Sequence, residues 1–426
     1  MARVLRSILA WALVGPSFAF GYIACGLDTT GGEPEATIDA SVREAANLPP
    51  SGGDSETPVV DSGPDPDATT PETCPWPSLE RDAPWPMIGG CVGHPGRTVH
   101  RGPKSKPKIV WTVTVTTRET QPVVGADGTV YVPADVNGVL AFAPDGGSRP
   151  IGDAGTGASN SVTNVPSIGA DGTLYFGAGH DVVALKKDGT SWRFATKDEI
   201  DTSTLIDEDG TVYSGSSDNA IHALFPDGGK RWERDLGDDV AAAPAIGPTR
   251  EIYVGTTKKL FALQRDGGLS WSFDPTGDIQ SSPVVADDGT IYIGTLGSRL
   301  HAVTPDGGAK WSFVTKGNFG WQQLPALGRD GTIFSPTGSY LAAINPADGG
   351  TKWEVNVTVP LRTSVVIDGD GRLYVGGDRM MYAFDPVDGT KLWELDLGEN
   401  PFGFAIGRDG TLFVACDNNK LLALQE

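Results

Sequence analysis

A single hydrophobic pattern recurs along most of the chain. A tight turn, Asp-Gly-Thr in most copies, precedes an apolar run with an aromatic residue at its centre, as in residues 127–132 and 288–293. The turns begin at Asp127, Asp171, Asp209, Thr249 in a degenerate copy, Asp288, Asp330, Asp370 and Asp409. Eight copies spaced about 40 residues apart predict one supersecondary unit that is repeated eight times.

Each copy is predicted to form β-strands. Asp-Gly favours a tight turn between two extended segments because glycine tolerates positive φ. A second apolar run follows, and its fourth residue is alanine in every copy: Ala141, Ala184, Ala223, Ala262, Ala302, Ala343, Ala383 and Ala423. Apolar residues on both sides of this alanine predict a strand that is covered on both faces. The alanine itself predicts a slot where a neighbouring sheet approaches too closely for a larger side chain.

The order of the strands within the repeat predicts the fold. A second turn, usually Pro-Asp-Gly-Gly, leads into a strand that carries tryptophan in six copies, and four short strands per unit are typical of a β-propeller blade. The WD40 repeat has a similar period, but its Gly-His and Trp-Asp signatures do not recur here. One tryptophan strand, around Trp111, precedes the first turn, whereas the last unit ends at Glu426 without one. We therefore predict an all-β fold over residues 106–426, an eight-bladed β-propeller of four-stranded blades whose N-terminal strand closes the last blade and covers its edge.

Composition agrees with this fold and disfavours two other classes of protein. Glycine accounts for 57 of the 426 residues. A helical bundle would avoid so much glycine, because each interior glycine costs about 0.5–1 kcal/mol relative to alanine. The 54 acidic and 33 basic side chains give a net charge of −21, which repels phosphate backbones. A mainly helical protein and a nucleic-acid-binding protein are therefore disfavoured.

Residues 1–25 have the pattern of a secretory signal peptide. Arg3 and Arg6 precede an interrupted apolar stretch that is too short to span a bilayer. The sequence Ile-Ala-Cys that ends at Cys25 resembles a bacterial lipobox, in which the cysteine receives the lipid, although Tyr22 stands where leucine is usual. Plain export with cleavage after Ala19 or Gly21 is the alternative. We expect an exported protein of the bacterial cell envelope that is lipid-anchored through Cys25.

Residues 26–73 are predicted to be a disordered tether. This segment has eleven acidic side chains, one basic side chain, seven prolines and no aromatic residue. Such a composition cannot bury enough apolar surface to offset the entropy lost on ordering. A lipid-anchored cysteine followed by an acidic, proline-spaced segment would hold a folded ring away from a membrane.

The cysteines predict an oxidising compartment. Cys74 and Cys91 flank a segment rich in proline and tryptophan, and a disulfide between them would stiffen residues 74–105, which lead into the propeller. A metal site is a weak alternative, because only His94 and His100 lie nearby and no C-x-x-C spacing occurs.

The repeat unit at residues 383–393, with its Ala, Asp, Gly, Lys and Trp, resembles the tryptophan-docking phrase of the PQQ-like, or quinoprotein-type, propeller family. Trp85-Pro86-Met87, with His94 and Arg97, also looks like the leading segment of the family's non-enzymatic bacterial members. The enzymes of the family would imply PQQ and calcium in the central funnel, a carboxylate base and two adjacent cysteines. No two cysteines are adjacent here, and the chain lacks the extra segments that build the enzymes' pocket.

The resemblance therefore implies a non-catalytic ring without a cofactor, which presents its loops to envelope proteins. The lipoprotein subunit of the outer-membrane β-barrel assembly machinery is similar in blade number, anchoring and size. We expect a monomeric ring, located in the outer membrane on its periplasmic or surface side. A PQQ-dependent dehydrogenase-like oxidoreductase and a small-ligand-binding surface protein remain the alternatives.

Most candidate site residues have an ordinary structural interpretation in the repeat. His222 and His301 occupy the position before the repeated alanine, where other copies have packing residues, and Cys416 occupies a position of small residues. The acidic runs at residues 207–210 and 368–371 resemble calcium loops, but neither supplies the glutamate that completes an EF-hand. We therefore predict packing residues and turns at these positions, and no catalytic or metal site.

Two departures from the repeat are better candidates for specificity. Residues 148–164 form a loop rich in glycine, serine and asparagine where the first unit lacks its tryptophan. Residues 317–323 exceed the usual spacing and contain Trp321, a tryptophan outside the repeat position. Exposed aromatic residues often anchor protein interfaces. We predict that Trp321 lies at the rim of the propeller and contacts a partner, with local packing as the alternative.

Overall fold

The computed structural model describes residues 76–115, 120–134, 138–149, 151, 162, 164–317, 319 and 323–426. All of these residues lie in the unit Pro66–Glu426. Every helix or strand among them is a β-strand, and the strands form eight four-stranded sheets arranged as a ring. The prediction of an all-β, eight-bladed propeller is confirmed. Over the same residues, no helix is long and apolar enough to cross a membrane.

The blades follow one another along the chain, and within each blade the strands run from the axis of the ring outward. Strand β1 (Lys108–Thr114) precedes blade 1. Blade 1 consists of β2 (Val123–Val124), β3 (Val130–Ala134), β4 (Gly138–Phe142) and β5 (Ser148–Arg149), and blade 2 of β6 (Ser167–Ile168), β7 (Leu174–Ala178), β8 (Asp181–Leu185) and β9 (Ser191–Ala195). Blade 3 consists of β10 (Leu205–Ile206), β11 (Val212–Gly215), β12 (Ala220–Leu224) and β13 (Lys230–Asp235), and blade 4 of β14 (Ala245–Ile246), β15 (Ile252–Gly255), β16 (Leu260–Leu263) and β17 (Leu269–Phe273). Blade 5 consists of β18 (Val284–Val285), β19 (Ile291–Thr295), β20 (Arg299–Val303) and β21 (Ala309–Val314), and blade 6 of β22 (Ala326–Leu327), β23 (Ile333–Thr337), β24 (Tyr340–Ile344) and β25 (Thr351–Asn356). Blade 7 consists of β26 (Val366–Ile367), β27 (Leu373–Gly377), β28 (Met380–Phe384) and β29 (Lys391–Asp396). Blade 8 consists of β30 (Pro401–Ile406), β31 (Leu412–Cys416), β32 (Lys420–Gln425) and β1.

The ring closes as the phase of the repeat predicts. Strand β1 pairs antiparallel with β32, with Trp111 opposite Ala423, so the N-terminal strand completes blade 8. Strands from the two ends of the described propeller therefore form one sheet. Closure of this kind protects a strand edge that would otherwise be open to other chains.

The repeated alanine lies between two aromatic residues of its own sheet. In blade 3, Ala223 lies between Tyr213 on the inner neighbouring strand and Trp232 on the outer one. The two aromatic rings meet over the alanine, with centroids 5.7 Å apart. The same arrangement recurs in blade 5, where the rings of Tyr292 and Trp311 are also 5.7 Å apart. Two aromatic side chains of the same sheet therefore crowd the position of the alanine.

Tryptophans join seven of the eight blades to the next, blade 1 being the exception. Trp271 of blade 4 donates its Nε1–H to the Pro305 carbonyl of blade 5 at 2.8 Å. Its face packs on Gly307, where a Cβ would lie 2.7 Å from the ring and where φ is +88°. The equivalent donations are Trp111 to Pro144, Trp192 to Pro226, Trp232 to Arg265, Trp311 to Pro346 and Trp353 to Pro386. A glycine is therefore required at this turn both for its backbone angle and for the space it leaves.

The last junction uses a different acceptor. Blade 8 has no turn of its own between β32 and β1, because the two strands come from opposite ends of the propeller. Trp393 of blade 7 instead donates its Nε1–H to the Pro103 carbonyl, 3.0 Å away, in the segment that leads into β1. Pro103 thus takes the place of the missing turn and fastens blade 7 to the closing strand.

Candidate functional site

Residues 85–96, which we call the plug, cross one end of the central channel. Their carbonyl groups accept hydrogen bonds from the innermost strands of six blades. The donors and acceptors are Val124 to Trp85, Ile168 to Pro86, Ile246 to Val92, Val285 to Gly93, Leu327 to Pro95 and Ile367 to Gly96, at 2.8–2.9 Å. Because these strands surround the axis of the ring, a segment that is bonded to all six must cross the channel.

The side chains of the plug are buried. Trp85, Met87 and His94 are 0% exposed, and Ile88 is 2% exposed. His94 Nδ1 lies 3.0 Å from the Pro283 carbonyl, and burial lowers the pKa of His94 to about 4, so the imidazole is neutral at physiological pH. A Cβ at Gly89, where φ is +64°, would lie 2.6 Å from His94. This end of the channel is therefore filled by tightly packed protein.

Small and polar side chains line the channel on the other side of the plug. One cavity of about 10 Å³ is lined by Asp201, Ser203, Gln280 and Ser282, with Ile88 of the plug beside them. Another cavity of about 10 Å³ is lined by residues that include Gln121, Ser364 and Phe402. Each has room for about one water molecule.

The serines of this lining already serve the structure. The hydroxyl oxygen of Ser203 accepts a hydrogen bond from the Val165 N–H at 3.0 Å, and Ser282 accepts one from the Ala243 N–H at 3.0 Å. Ser364 likewise accepts from the Leu324 N–H at 3.0 Å. Each bond links a blade to the next one, so these hydroxyls stabilise the ring.

The plug fills one end of the funnel, and the two cavities above it are far smaller than the roughly 300–1,000 Å³ of a cofactor site. Within the described part of the chain, no group of three or more His, Cys, Asp and Glu side chains is arranged to hold a metal ion.

The two acidic runs form turns, as predicted. In residues 207–210 the Gly210 N–H donates to the Asp207 carbonyl at 2.9 Å, and the Asp207 carboxylate accepts from Arg265 Nε at 2.7 Å. Hydrogen bonds from Thr211 and Arg231 outweigh the effect of burial and lower the pKa of Asp209 to about 2. In the second run, Asp368 accepts from Arg372 Nη1 at 2.8 Å. These carboxylates are therefore engaged by cations of the protein.

The histidine and cysteine predictions inside the ring are also confirmed. His222 and His301 are 2% and 6% exposed, and their rings lie against Phe194 and Phe273, with centroids 5.8 and 6.1 Å apart. Cys416 is free and 0% exposed. Burial, together with the charge of Asp417, raises the pKa of the Cys416 thiol to about 12, which makes it a poor nucleophile.

Three predicted site residues, Cys25, Cys74 and Trp321, lie outside the described residues. Their roles in lipidation, in a disulfide with Cys91 and in partner contact stay predictions.

Sequence reasoning did not find an open groove between blades 6 and 7. This groove encloses about 500 Å³, and residues 97–99, Phe334, Pro386 and Val387 form part of its lining. The signal was present in the repeat, because the turn at Val387 is one residue longer than most and Phe334 replaces the usual tyrosine.

The fold and the tryptophan-docked blades define a PQQ-like β-propeller. Residues 178–320 and 297–426 match the family described as outer membrane protein assembly factor BamB. The chain belongs to this family. No curated protein sequence matches the chain at a significant level.

Solved structures with the same fold include enzymes as well as BamB. A quinohemoprotein alcohol dehydrogenase from Comamonas testosteroni has 14% identity and a TM-score of 0.66, over 80% of this chain and 80% of that chain. A europium-containing methanol dehydrogenase has 14% identity and a TM-score of 0.63, over 78% and 89%. BamB from Moraxella catarrhalis has 16% identity and a TM-score of 0.61, over 75% of this chain and 100% of that chain. At these identities the likeness establishes the fold alone.

Proposed function

We propose that this protein is a non-catalytic scaffold of the bacterial cell envelope, a ring that presents its loops to partners in outer-membrane protein assembly. One observation carries the proposal: the plug fills one end of the channel where the quinoprotein resemblance would place a cofactor. A ring with a filled channel keeps its loops and outer grooves for binding. Family membership and the likeness to a BamB structure support the same role.

The proposal includes a membrane anchor. Cys25 would carry the lipid, residues 26–73 would hold the ring away from the bilayer, and a Cys74–Cys91 disulfide would brace the segment that leads into the plug. We infer an outer-membrane lipoprotein that works as a monomeric ring against envelope proteins, without a cofactor.

Crosslinking in intact cells tests this role. A tagged full-length chain, crosslinked and purified from the membrane fraction, should yield crosslinks between propeller loops and outer-membrane assembly proteins when analysed by mass spectrometry. Cys25→Ser is the matched control, because it leaves the propeller sequence unchanged. It should move the protein into the soluble fraction and remove those crosslinks.

Two outcomes would contradict the proposal. A chain whose crosslinks include no envelope protein would not be a scaffold there. A chain that oxidises alcohols with an artificial electron acceptor after addition of PQQ and calcium would favour the dehydrogenase-like alternative.

A further inference from the structure

The groove between blades 6 and 7 has a largely apolar lining. Leu327 and Phe334 of blade 6 and Ile367 and Pro386 of blade 7 line it together with Val99. The segment that contains Val99 is held in place, because the Thr98 N–H donates to the Ile367 carbonyl at 2.9 Å and the Ile367 N–H donates to the Gly96 carbonyl at 2.8 Å. The groove is therefore preformed, and its volume of about 500 Å³ lies in the range of ligand sites.

In two other blades a long cationic side chain covers the equivalent groove. In blade 4 the residue equivalent to Pro386 is Arg265, which extends over the adjacent groove to Asp207 at 2.7 Å. In blade 2 the equivalent residue is Lys187, which reaches Glu80 at 2.9 Å. Blade 7 shares proline at this position with blades 1, 3, 5 and 6, and a proline cannot extend in this way, so no cation from this position covers the groove beside blade 7.

The floor of the groove lacks the polar groups that occur at the equivalent position in other blades. The hydroxyl group of Tyr213 in blade 3 donates to Asp207 at 3.2 Å, and that of Tyr374 in blade 7 donates to Asp368 at 3.0 Å. Blade 6 has Phe334 at this position, and Gly328 where those blades have the aspartate. An apolar side chain that packs on Phe334 therefore meets no hydroxyl and no carboxylate at these two positions.

Val387 stands at the mouth of the groove. In blade 5 the Gly307 N–H closes the outer turn by donating to the Thr304 carbonyl, three residues back, whereas in blade 7 the Gly389 N–H donates to the Asp385 carbonyl, four residues back. The extra residue is Val387, and it is 83% exposed. An exposed aliphatic side chain beside an apolar groove extends one continuous apolar surface, which is typical of a binding site.

The uncompensated charge on the rim is positive. Arg329 is exposed and has no ion pair or hydrogen bond within the described part of the chain. The rim carboxylates are already engaged: Lys352 Nζ lies 3.3 Å from Asp330, and Arg372 Nη1 lies 2.8 Å from Asp368. Asp370 is held by Arg101 at 2.9 Å as well as by Arg372. A ligand carboxylate would therefore find its complement at Arg329.

We propose that this groove binds an extended peptide segment of a partner protein in which a large apolar side chain is flanked by an acidic residue. The apolar side chain packs on Phe334 and against Val387, and the carboxylate pairs with Arg329. This inference rests on the proposed scaffold function and adds the chemistry of the partner to it.

Peptide binding to the purified full-length chain tests this inference. The probe is a fluorescein-labelled peptide with an Asp-Leu-Phe-Asp core, and one comparison peptide has Asn for Asp while the other has Ser for Leu and Phe. Fluorescence anisotropy should give a Kd about tenfold or more lower for the probe than for either comparison peptide. Val387→Asp and Arg329→Glu should each weaken binding of the probe about tenfold or more.

Matched variants separate the groove from general effects of charge. Val314→Asp changes a second exposed valine, which lies on the outer strand of blade 5 and away from the groove. Lys186→Glu reverses a charge at the outer turn of blade 2. Neither should change the Kd. Arg329→Glu should bind a peptide with Lys in place of Asp more tightly than the wild-type chain does, and all four variants should melt at the wild-type temperature.

The inference would be overturned if the probe did not bind measurably, or if wild type and Val387→Asp bound it equally. If the probe did not bind but dodecanoate bound saturably, and Val387→Asp abolished that binding, the groove would be a site for a fatty acid and not for a peptide. Failure of the scaffold function is a separate result. A Val387→Asp chain that keeps its envelope crosslinks would refute the groove and leave the scaffold role. A chain that binds the peptide but has no envelope crosslinks would refute the scaffold role and leave the groove.

Discussion

Trp393 should contribute more to stability than most single side chains, because it fastens the ring at its closing junction. It is 5% exposed, its ring centroid lies 5.8 Å from that of Tyr374, and its Nε1–H donates to the Pro103 carbonyl at 3.0 Å. Truncation of a buried aromatic side chain to alanine costs about 3–5 kcal/mol, from lost contacts and the cavity that is left. We expect Trp393→Ala to destabilise the protein by that amount.

A second variant separates packing from hydrogen bonding. Trp393→Phe keeps most of the ring contact but removes the Nε1–H donor, a change that typically costs about 1 kcal/mol. Leu392→Ala, at a neighbouring side chain that is 41% exposed, is the control and should change stability by less than about 0.5 kcal/mol.

Guanidinium unfolding followed by far-UV circular dichroism measures these free energies. The reasoning predicts the order Leu392→Ala, Trp393→Phe, Trp393→Ala from least to most destabilised. A loss below about 1 kcal/mol for Trp393→Ala would refute the idea that Trp393 secures the closing junction.

Three further predictions concern the plug, the cysteines and the closing strand. Burial lowers the pKa of His94 to about 4, so between pH 6.5 and 4 the unfolded chain binds a proton at this residue and the native state does not. The free energy of unfolding should therefore fall by up to about 3 kcal/mol as the pH falls from 6.5 to 4. His94→Gln should flatten that part of the stability profile. A wild-type profile that is flat over this range would be inconsistent with a neutral buried imidazole. In the Cys25→Ser chain, a thiol reagent at pH 8 should detect no thiol in the folded protein, because Cys416 is buried. After unfolding without reductant, the reagent should detect Cys416 alone. Additional thiols in the unfolded chain would argue against the predicted disulfide between Cys74 and Cys91. Deletion of residues 106–115 removes all of β1 and should lower the melting temperature of the whole ring. An unaltered melting curve would argue against the closing role of β1.

Much of the fold can be read from the sequence because each blade repeats the same local chemistry. The Asp-Gly turns mark the hairpins, and the position of Trp111 relative to Asp127 predicts that β1 joins the last blade. The reason for the alanine could not be derived in this way. Tyr213 and Trp232 meet over Ala223 because of the register of three strands, and register is a property of their pairing rather than of any one of them.

The path of the plug could not be predicted either. Trp85, Pro86 and Met87 mark a distinctive segment, but its hydrogen bonds to six blades use backbone carbonyls, which every residue has. The groove is an intermediate case. Phe334 and Val387 stand out when the eight repeats are compared, yet the repeat alone does not say that these two residues line the same groove.

The central claim is that this propeller is a binding ring whose channel is closed by its own chain, and equilibrium dialysis of the purified full-length protein against PQQ with calcium tests it most directly. The account predicts equal PQQ concentrations on both sides of the membrane and no reduction of PQQ on addition of an alcohol. Saturable binding of one PQQ per chain, followed by alcohol-dependent reduction of the bound quinone, would contradict it.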